Sequence, residues 1–396
     1  MKRIGLLLLS LILLTPLGIP AQHRARSVQF TTTIQEATAY AMDLQKRHKI
    51  PGMAIAVAIH GEIVWNESLG FADLENHVPV TAATKFRLGS VSKLLTAAAM
   101  ARLYEDGLID LDVPIQQYVP SFPVKKWVIT SWQLASHTAG IRHYRDTDPI
   151  VCGPTFKTVT ESLNLFKDDP LLFEPDTRFE YSSFGYNLLS AVIEGASSQD
   201  FLNYIRSKVF QPLKMEHTVA DDPFAVIDNR TRFYFVQSDG AVRNAPFVNS
   251  SFRWASGGFL ATAEDLAQFG MAHVREGFFR QSRLALLFTS HKLKDGKETG
   301  VGLGWRIGRD KQGVEYFHHG GAMEGARAFL LVKPASGVVV VMLANAFAPF
   351  GEEDALKLAS MFEKEASASK NPLGFAAPLP TAPEFKKTGV LPLLAH

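Results

Sequence analysis

The period of apolar and polar positions changes several times along the chain, and those changes divide it. Thr33-Ile34-Gln35-Glu36 has the spacing of a capping box and predicts a helix from there to about His48. From Met53 to His60, Ala54, Ala56 and Ala58 alternate with Ile55, Val57 and Ile59. A run that is apolar on both faces, small on one and β-branched on the other, predicts a buried strand with a helix packed close on the alanine side. Gly61 turns the chain into a second strand over about 62–68, which completes a hairpin. From about Phe86 to Phe247 the period is mainly helical. Helices are predicted over 91–106 (Leu94, Leu95, Ala98, Leu103, then Gly107), 183–196 (Leu188, Leu189, Val192, Ile193) and 198–209 (Phe201, Ile205, Val209). Thr262-Ala263-Glu264-Asp265 starts another with an acidic first turn. Strands return over 326–332 and 338–344 around the turn Pro334-Ala335-Ser336-Gly337, and 352–366 reads as an amphipathic helix.

A two-stranded hairpin is not stable alone. The N-terminal and C-terminal hairpins are therefore expected to share one antiparallel sheet, flanked by the N- and C-terminal helices, with the helical section inserted beside it. The fold class is α+β. The sheet lobe takes residues 28–85 and 250–366, the helical lobe 86–249, and one domain spans 28–366. A cleft between two such lobes is the expected place for a site. The Pro-rich stretch 367–396 reads as a flexible tail.

Composition narrows the function classes. Hydrophobic residues make up 46% and charged residues 20%, which is ordinary for a soluble globular chain. With 41 Lys+Arg against 39 Asp+Glu, no domain-wide positive field is available to hold a nucleic acid. At the N-terminus, Lys2 and Arg3 precede an apolar run from Ile4 to Leu14, then Pro16, Gly18, Pro20 and Ala21. About 11 apolar residues are too few to span a bilayer, so 1–21 reads as a secretory signal peptide. That implies a secreted or periplasmic protein; an uncleaved signal anchor is the alternative, and the only route to a membrane. The single Cys152 cannot form an intrachain disulfide, and the 12 His show no metal-ligand spacing, so neither metal nor cofactor is implied. There is no G-x-S-x-G, Walker A or dinucleotide fingerprint.

Ser90-Val91-Ser92-Lys93 stands where the first helix of the helical section begins. Side chains at i and i+3 share a face. A serine hydroxyl needs a base, and a lysine in a dry pocket can be neutral enough to serve. The helix N-terminus offers N–H groups to a developing oxyanion. The motif also occurs by chance: Ser367-Ala368-Ser369-Lys370 fits it too, ahead of the Pro-rich tail. By spacing alone, Ser90 is either a nucleophile or an ordinary helix N-cap. Tyr181-Ser182-Ser183 begins a second helix, where a neighbouring cation would let the tyrosine act as acid or base. Phe317-His318-His319-Gly320-Gly321 lies on a C-terminal strand, with glycines that let a ligand approach the backbone.

In chain order these segments resemble the S-x-x-K, Y-x-N and K/H-x-G motifs of the penicillin-recognising serine hydrolases, which include class C β-lactamases, DD-peptidases and esterases. Leu134-Ala135-Ser136-His137-Thr138-Ala139-Gly140 and Gly257-Gly258-Phe259-Leu260-Ala261-Thr262-Ala263-Glu264-Asp265-Leu266 resemble two further segments of that superfamily. Glu161 to Leu171 and Phe179 to Tyr186 are most similar to the branch of the mitochondrial serine β-lactamase-like protein and its bacterial relatives. The resemblance implies a β-lactamase/transpeptidase-like fold and a serine hydrolase that works through an acyl-enzyme on peptide, amide or ester substrates. A class C-like β-lactamase or DD-carboxypeptidase is the alternative, and a penicillin-binding-like sensor or assembly protein without turnover is the alternative of another class. The implied roles are Ser90 as nucleophile and Lys93 and Tyr181 in proton transfer. The N–H groups of Ser90 and Gly321 would form the oxyanion hole, and Ser183, His318 and Gly320 would bind substrate.

Two positions depart from the superfamily pattern. Ser183 replaces an asparagine and removes an amide, and His318 replaces a lysine and makes a fixed charge titratable. Both predict weak turnover of penicillins and cephalosporins. A carboxylate held by His318 would bind better below about pH 6.5. His137 reads as structural, Arg142 to Tyr144 as either cleft lining or a solvated loop, and Glu324 and Arg327 as a local ion pair.

Overall fold

The computed structural model describes residues 30–368 apart from Cys152 and Glu276. The expected signal peptide, Cys152 and most of the tail, with the Ser369 and Lys370 of the second S-x-x-K match, lie outside the described residues.

The chain opens with helix α1 (Thr31–Arg47), then β1 (Gly52–Ile59), β2 (Glu62–Asp73) and the short β3 (Val78–Pro79). Helices α2 (Ser92–Glu105), α3 (Ser183–Ser197) and α4 (Ala263–Met271) follow in the middle of the chain. Strands β4 (Arg306–Arg309), β5 (Glu315–Met323), β6 (Ala326–Lys333) and β7 (Val338–Ala344) then lead to α5 (Glu352–Ala368). The seven strands form one sheet in the order β3-β2-β1-β7-β6-β5-β4, with antiparallel pairing throughout. The two hairpins join through β1 and β7, with Met53 opposite Ala344 and Ile59 opposite Val338.

Period-2 alternation explains why every residue of β1 and β7 is buried. Ala54, Ala56 and Ala58 face a core shared with Val339, Val341, Leu343 and the α4 residues Leu266 and Ala267. Met53, Ile55, Val57 and Ile59 face a second core under α1 and α5, with Leu44, Leu358 and Phe362. The alanine face is the close-packed one: a Cβ on Gly270 of α4 would stand 2.4 Å from a Val339 methyl.

Helix α1 starts at Thr31, before the capping-box spacing at Thr33. Thr33 donates its hydroxyl to Glu365 of α5 at 2.7 Å instead, so a tertiary contact takes the side chain that local geometry reserved for a cap. The helix expected over 198–209 begins at Phe201, because Ser198 ends α3 with φ 55° and Asp200 caps the next turn. Its second half, Arg206–Phe210, winds as a π turn. Glu324 pairs with Arg253 at 2.9 Å, while Arg327 donates to the Phe350 carbonyl. The expected Glu324–Arg327 pair is thereby replaced.

Candidate active site

Ser90 sits on a single 3₁₀ turn, Gly89–Val91, that feeds directly into α2. Neither this turn nor α2 has a side-chain cap, so the N-cap alternative for Ser90 falls. Its hydroxyl instead accepts hydrogen bonds from the Tyr181 phenol at 2.8 Å and from Lys93 Nζ at 3.2 Å. Ser90 is half-buried, whereas Lys93, one helical turn on, has no exposed surface. Lys93 Nζ also donates to Ser183 Oγ at 3.0 Å and to the Ser256 carbonyl at 2.7 Å. Burial, reinforced by the charges of Arg253 and Arg306, holds the Lys93 amine well below its ordinary range, which favours the neutral form.

The alanine-rich sequence of α2 lets neighbours approach closely enough to build this pocket. Ala97 to Ala101 are buried, and Thr96 donates to the Ala255 carbonyl at 2.8 Å. That bond docks the short helix Trp254–Gly257, in which the residue after Ala255, Ser256, accepts from the lysine through its carbonyl. Ser183 Oγ therefore meets Lys93 in this structure. With no amide in this position, it is a hydrogen-bond partner for the amine.

Two neutral histidines place Tyr181. The Ser182 N–H donates to His137 Nδ1 and the Ser183 N–H to His143 Nδ1, both at 3.1 Å, which satisfies N-terminal donors of α3. The His137 ring lies 4.5 Å from the Tyr181 ring. Burial, then the charge of Lys93, pushes the His137 imidazole well below its usual range, so Nδ1 stays an acceptor. His137 is structural, as its segment implied. Arg142 is buried against Asp148 and Asp169, and Tyr144 shares a 2.9 Å hydrogen bond with Ser256 Oγ. Burial raises the Tyr181 phenol above its ordinary value. At rest it is therefore a proton donor, and no neighbouring cation makes it a standing base.

The third motif lies on β5, and its register differs from the expected one. His318 is on the outer face, where its ring stacks on Phe329 and Nε2 lies 3.5 Å from Glu352 of α5. Gly320 shares that face: a Cβ there would stand 3.3 Å from the Phe329 ring. His319, one residue on, faces Tyr181 with ring centroids 6.2 Å apart. Strand alternation cannot put both imidazoles in the cleft. The reading of His318 as the cleft residue is therefore corrected to His319. Burial, reinforced by the charge of Arg306, pushes the His319 imidazole well below its usual range. The expected gain in carboxylate binding as His318 takes a proton has no geometric basis.

The same register moves the second oxyanion donor. Met323 and Ala326 face each other across the two-residue turn Glu324-Gly325, so their N–H and C=O groups point at one another. Counting back by two, the N–H of Gly321 points to β6, and that of Ala322 points to the free edge beside Ser90. By this register the N–H that faces the Ser90 side is that of Ala322 and not that of Gly321. The approach is tight enough to need glycines. A Cβ on Gly321 would stand 1.9 Å from the Leu88 carbonyl oxygen, and one on Gly89, at φ +49°, would stand 2.9 Å from the Ala322 nitrogen.

Arg306 had no sequence signal. It pairs with His318 across β4 and β5, and its guanidinium lies 5.7 Å from the Tyr181 ring centroid. It is half-buried and has no ion-pair partner among the described residues. It is a fixed positive charge at the cleft. No group of three or more His, Cys, Asp or Glu side chains suited to a metal occurs among the described residues.

The family described as Beta-lactamase matches residues 32–360. The chain is 31% identical over 423 residues to the mitochondrial serine beta-lactamase-like protein LACTB of Homo sapiens, covering 80% of this chain and 77% of that one. The solved penicillin binding protein of Bacillus halodurans superposes with a TM-score of 0.67 at 25% identity, over 82% of this chain and 98% of that one. The octameric penicillin-binding protein homologue of Pyrococcus abyssi gives 0.70 at 23%, over 85% and 78%.

Proposed function

We propose, on the premise that this chain belongs to the beta-lactamase family within the penicillin-recognising serine hydrolases, that it hydrolyses peptide, amide or ester substrates through an acyl-enzyme on Ser90. The observation that carries the proposal is the Ser90 hydroxyl held between a buried, neutral-leaning Lys93 and the Tyr181 phenol. Lys93 Nζ takes the hydroxyl proton as Ser90 Oγ attacks the carbonyl carbon. The N–H groups of Ser90 and Ala322 hold the oxyanion. The leaving amine or alcohol takes the Tyr181 proton as its bond to carbon breaks. Water then attacks the acyl carbon and returns a proton to the tyrosinate, and protonated Lys93 returns its own to Ser90. Each half-reaction passes through a Lys93 ammonium beside a Tyr181 phenolate, a pair that stabilises both charges in a dry site.

Intact-mass analysis over time tests this reading. A fluorophosphonate should leave one lasting adduct on the wild type and none on Ser90→Ala. A penicillin adduct should clear slowly, since the second motif offers Ser183 and no amide. No fluorophosphonate adduct on the wild type would sink the proposal. Rapid penicillin clearance would favour the β-lactamase alternative, and a lasting penicillin adduct would favour the sensor.

Arg306 supports a preference for substrates with a carboxylate. Replacing it by glutamine should raise KM for a carboxylate-bearing amide about 10- to 100-fold, in line with loss of a charged contact. KM for a neutral p-nitrophenyl ester should change little. Because arginine does not titrate, the effect should be flat from pH 5.5 to 8. An equal loss on both substrates would remove Arg306 from substrate recognition. The N-terminal run of Lys2, Arg3 and Ile4 to Leu14 supports export. The mature protein should start near residue 22, and an intact N-terminus by mass would argue for the anchor.

A further inference from the structure

We infer that the Arg253–Glu324 ion pair is a positioning element of this reaction, a clamp that joins the oxyanion edge of β5 to the segment holding Lys93. The inference rests on the acyl-enzyme reading above. Arg253 Nη2 donates to Glu324 Oε2 at 2.9 Å, and the two side chains are only 6% and 19% exposed. Each end of the pair is adjacent to a reacting group. Glu324 is the first residue after β5, two beyond Ala322. Arg253 is the N-cap residue of the short helix Trp254–Gly257, and its carbonyl accepts from the Ser256 and Gly257 N–H groups at 3.1 and 2.9 Å. The Ser256 carbonyl in turn takes Lys93 Nζ. The hairpin tip is tied a second time by Arg87, whose Nη1 donates to the Glu324 carbonyl at 3.0 Å and whose Nε donates to buried Asp221 at 2.6 Å. A buried ion pair is weak evidence of added stability, but breaking one half leaves an uncompensated charge. Here an uncompensated Arg253 charge would act on Lys93.

The pair also has an electrostatic consequence. Lys93 is faced by Arg253 from the short helix, Arg306 from β4, His319 from β5, and Tyr181, His137 and His143 from the helical section. Of these, Arg253 has an acidic partner, Glu324. Neutralising Glu324 leaves the field of Arg253 unopposed and makes Lys93 harder to protonate. Neutralising Arg253 does the reverse. A residue that only held the fold together would move neither limb of a pH profile in a defined direction.

The experiment measures kcat/KM for a p-nitrophenyl ester from pH 5 to 9 in wild type, Glu324→Gln, Arg253→Gln and Glu324→Asp. Hydrogen exchange is followed in peptides covering 319–327 and 253–258. The acid limb should move down by about half a unit in Glu324→Gln and up by a similar amount in Arg253→Gln, the scale of one partly screened charge. The kcat of both should fall about 10-fold as the edge loosens. Glu324→Asp, which keeps the charge, should leave the limb in place. Both peptides should exchange faster in the two glutamine variants. Limb shifts in the same direction, or unchanged exchange in both peptides, would overturn the clamp. The exchange readout needs no turnover. A wild type inert to esters with faster exchange in the variants would therefore sink the acyl-enzyme reading and leave the clamp standing. A variant that does not fold is replaced by Glu324→Asp, whose kcat must fall with the limb fixed.

Discussion

Ser90→Ala is expected to lower kcat/KM for a p-nitrophenyl ester by about 10⁴- to 10⁶-fold, the loss common when a nucleophile acting with its base is removed. The fold should hardly notice. The Ser90 side chain caps no helix and is half-buried, so water can take its place beside Tyr181 and Lys93. The expected change in unfolding free energy is under about 1 kcal/mol, the scale of one exposed hydrogen bond. Ser367→Ala, in the chance match to the same motif, should keep full activity. The check is a rate measurement paired with a urea titration. Near-normal turnover by Ser90→Ala, or a collapse of its stability, would return Ser90 to a structural role.

Lys93→Met should also be damaging to activity, by about 10³-fold or more, because the shape of the side chain remains and the base is gone. Its second effect is on stability and has a defined sign. The folded-state pKa of Lys93 is depressed, so between that value and 10.5 the unfolded chain binds a proton that the folded chain does not. Unfolding is favoured by that proton, and wild-type stability gains from each rise in pH across the window. The linkage slope is about 1.4 kcal/mol per pH unit for one proton. Lys93→Met lacks the group, so the stability of wild type relative to the variant should climb with pH below 10.5, by up to about that amount per unit. Urea titrations of both proteins at pH 8, 8.75 and 9.5 measure it. A constant difference over that range would mean that Lys93 is protonated in the folded protein and is not the base.

The sheet was legible in the sequence because its signal is local. Ala54, Ala56 and Ala58 against Ile55, Val57 and Ile59 state in six residues that both faces are buried and that one packs closer than the other. The helix over 198–209 was harder. Ser198 takes the left-handed conformation to end α3, and no hydrophobic period reports that. Thr33 illustrates the opposite error, a local cap signal overruled by Glu365, which lies 332 positions away.

At the site, i, i+3 spacing on a helix put Ser90 and Lys93 on one face, but spacing alone left Ser90 as nucleophile or N-cap, and it was the order of three motifs resembling a known superfamily that singled out Ser90, Lys93 and Tyr181. Neither spacing nor motif order could say which imidazole of His318-His319 enters the cleft. The run His318-His319-Gly320-Gly321 satisfies H-x-G twice, at 318–320 and 319–321, and only the phase of β5 against β6 separates the two. That phase is set by the Glu324-Gly325 turn and by what each face packs against: Phe329 on one side, Tyr181 on the other. The same phase moves the oxyanion donor from Gly321 to Ala322. Arg306 and the Arg253–Glu324 pair left no motif at all, because charges brought together from 253, 306 and 324 interact through space and carry no fixed spacing along the chain. Sequence by itself therefore determined the sheet, through short-range periodicity, and named Ser90, Lys93 and Tyr181 as candidates, through motif order. The phase of the edge beside Ser90, the depressed pKa of Lys93 and the cation beside Tyr181 were decided by tertiary structure, since register, burial and the sum of distant charges exist only once the chain has folded.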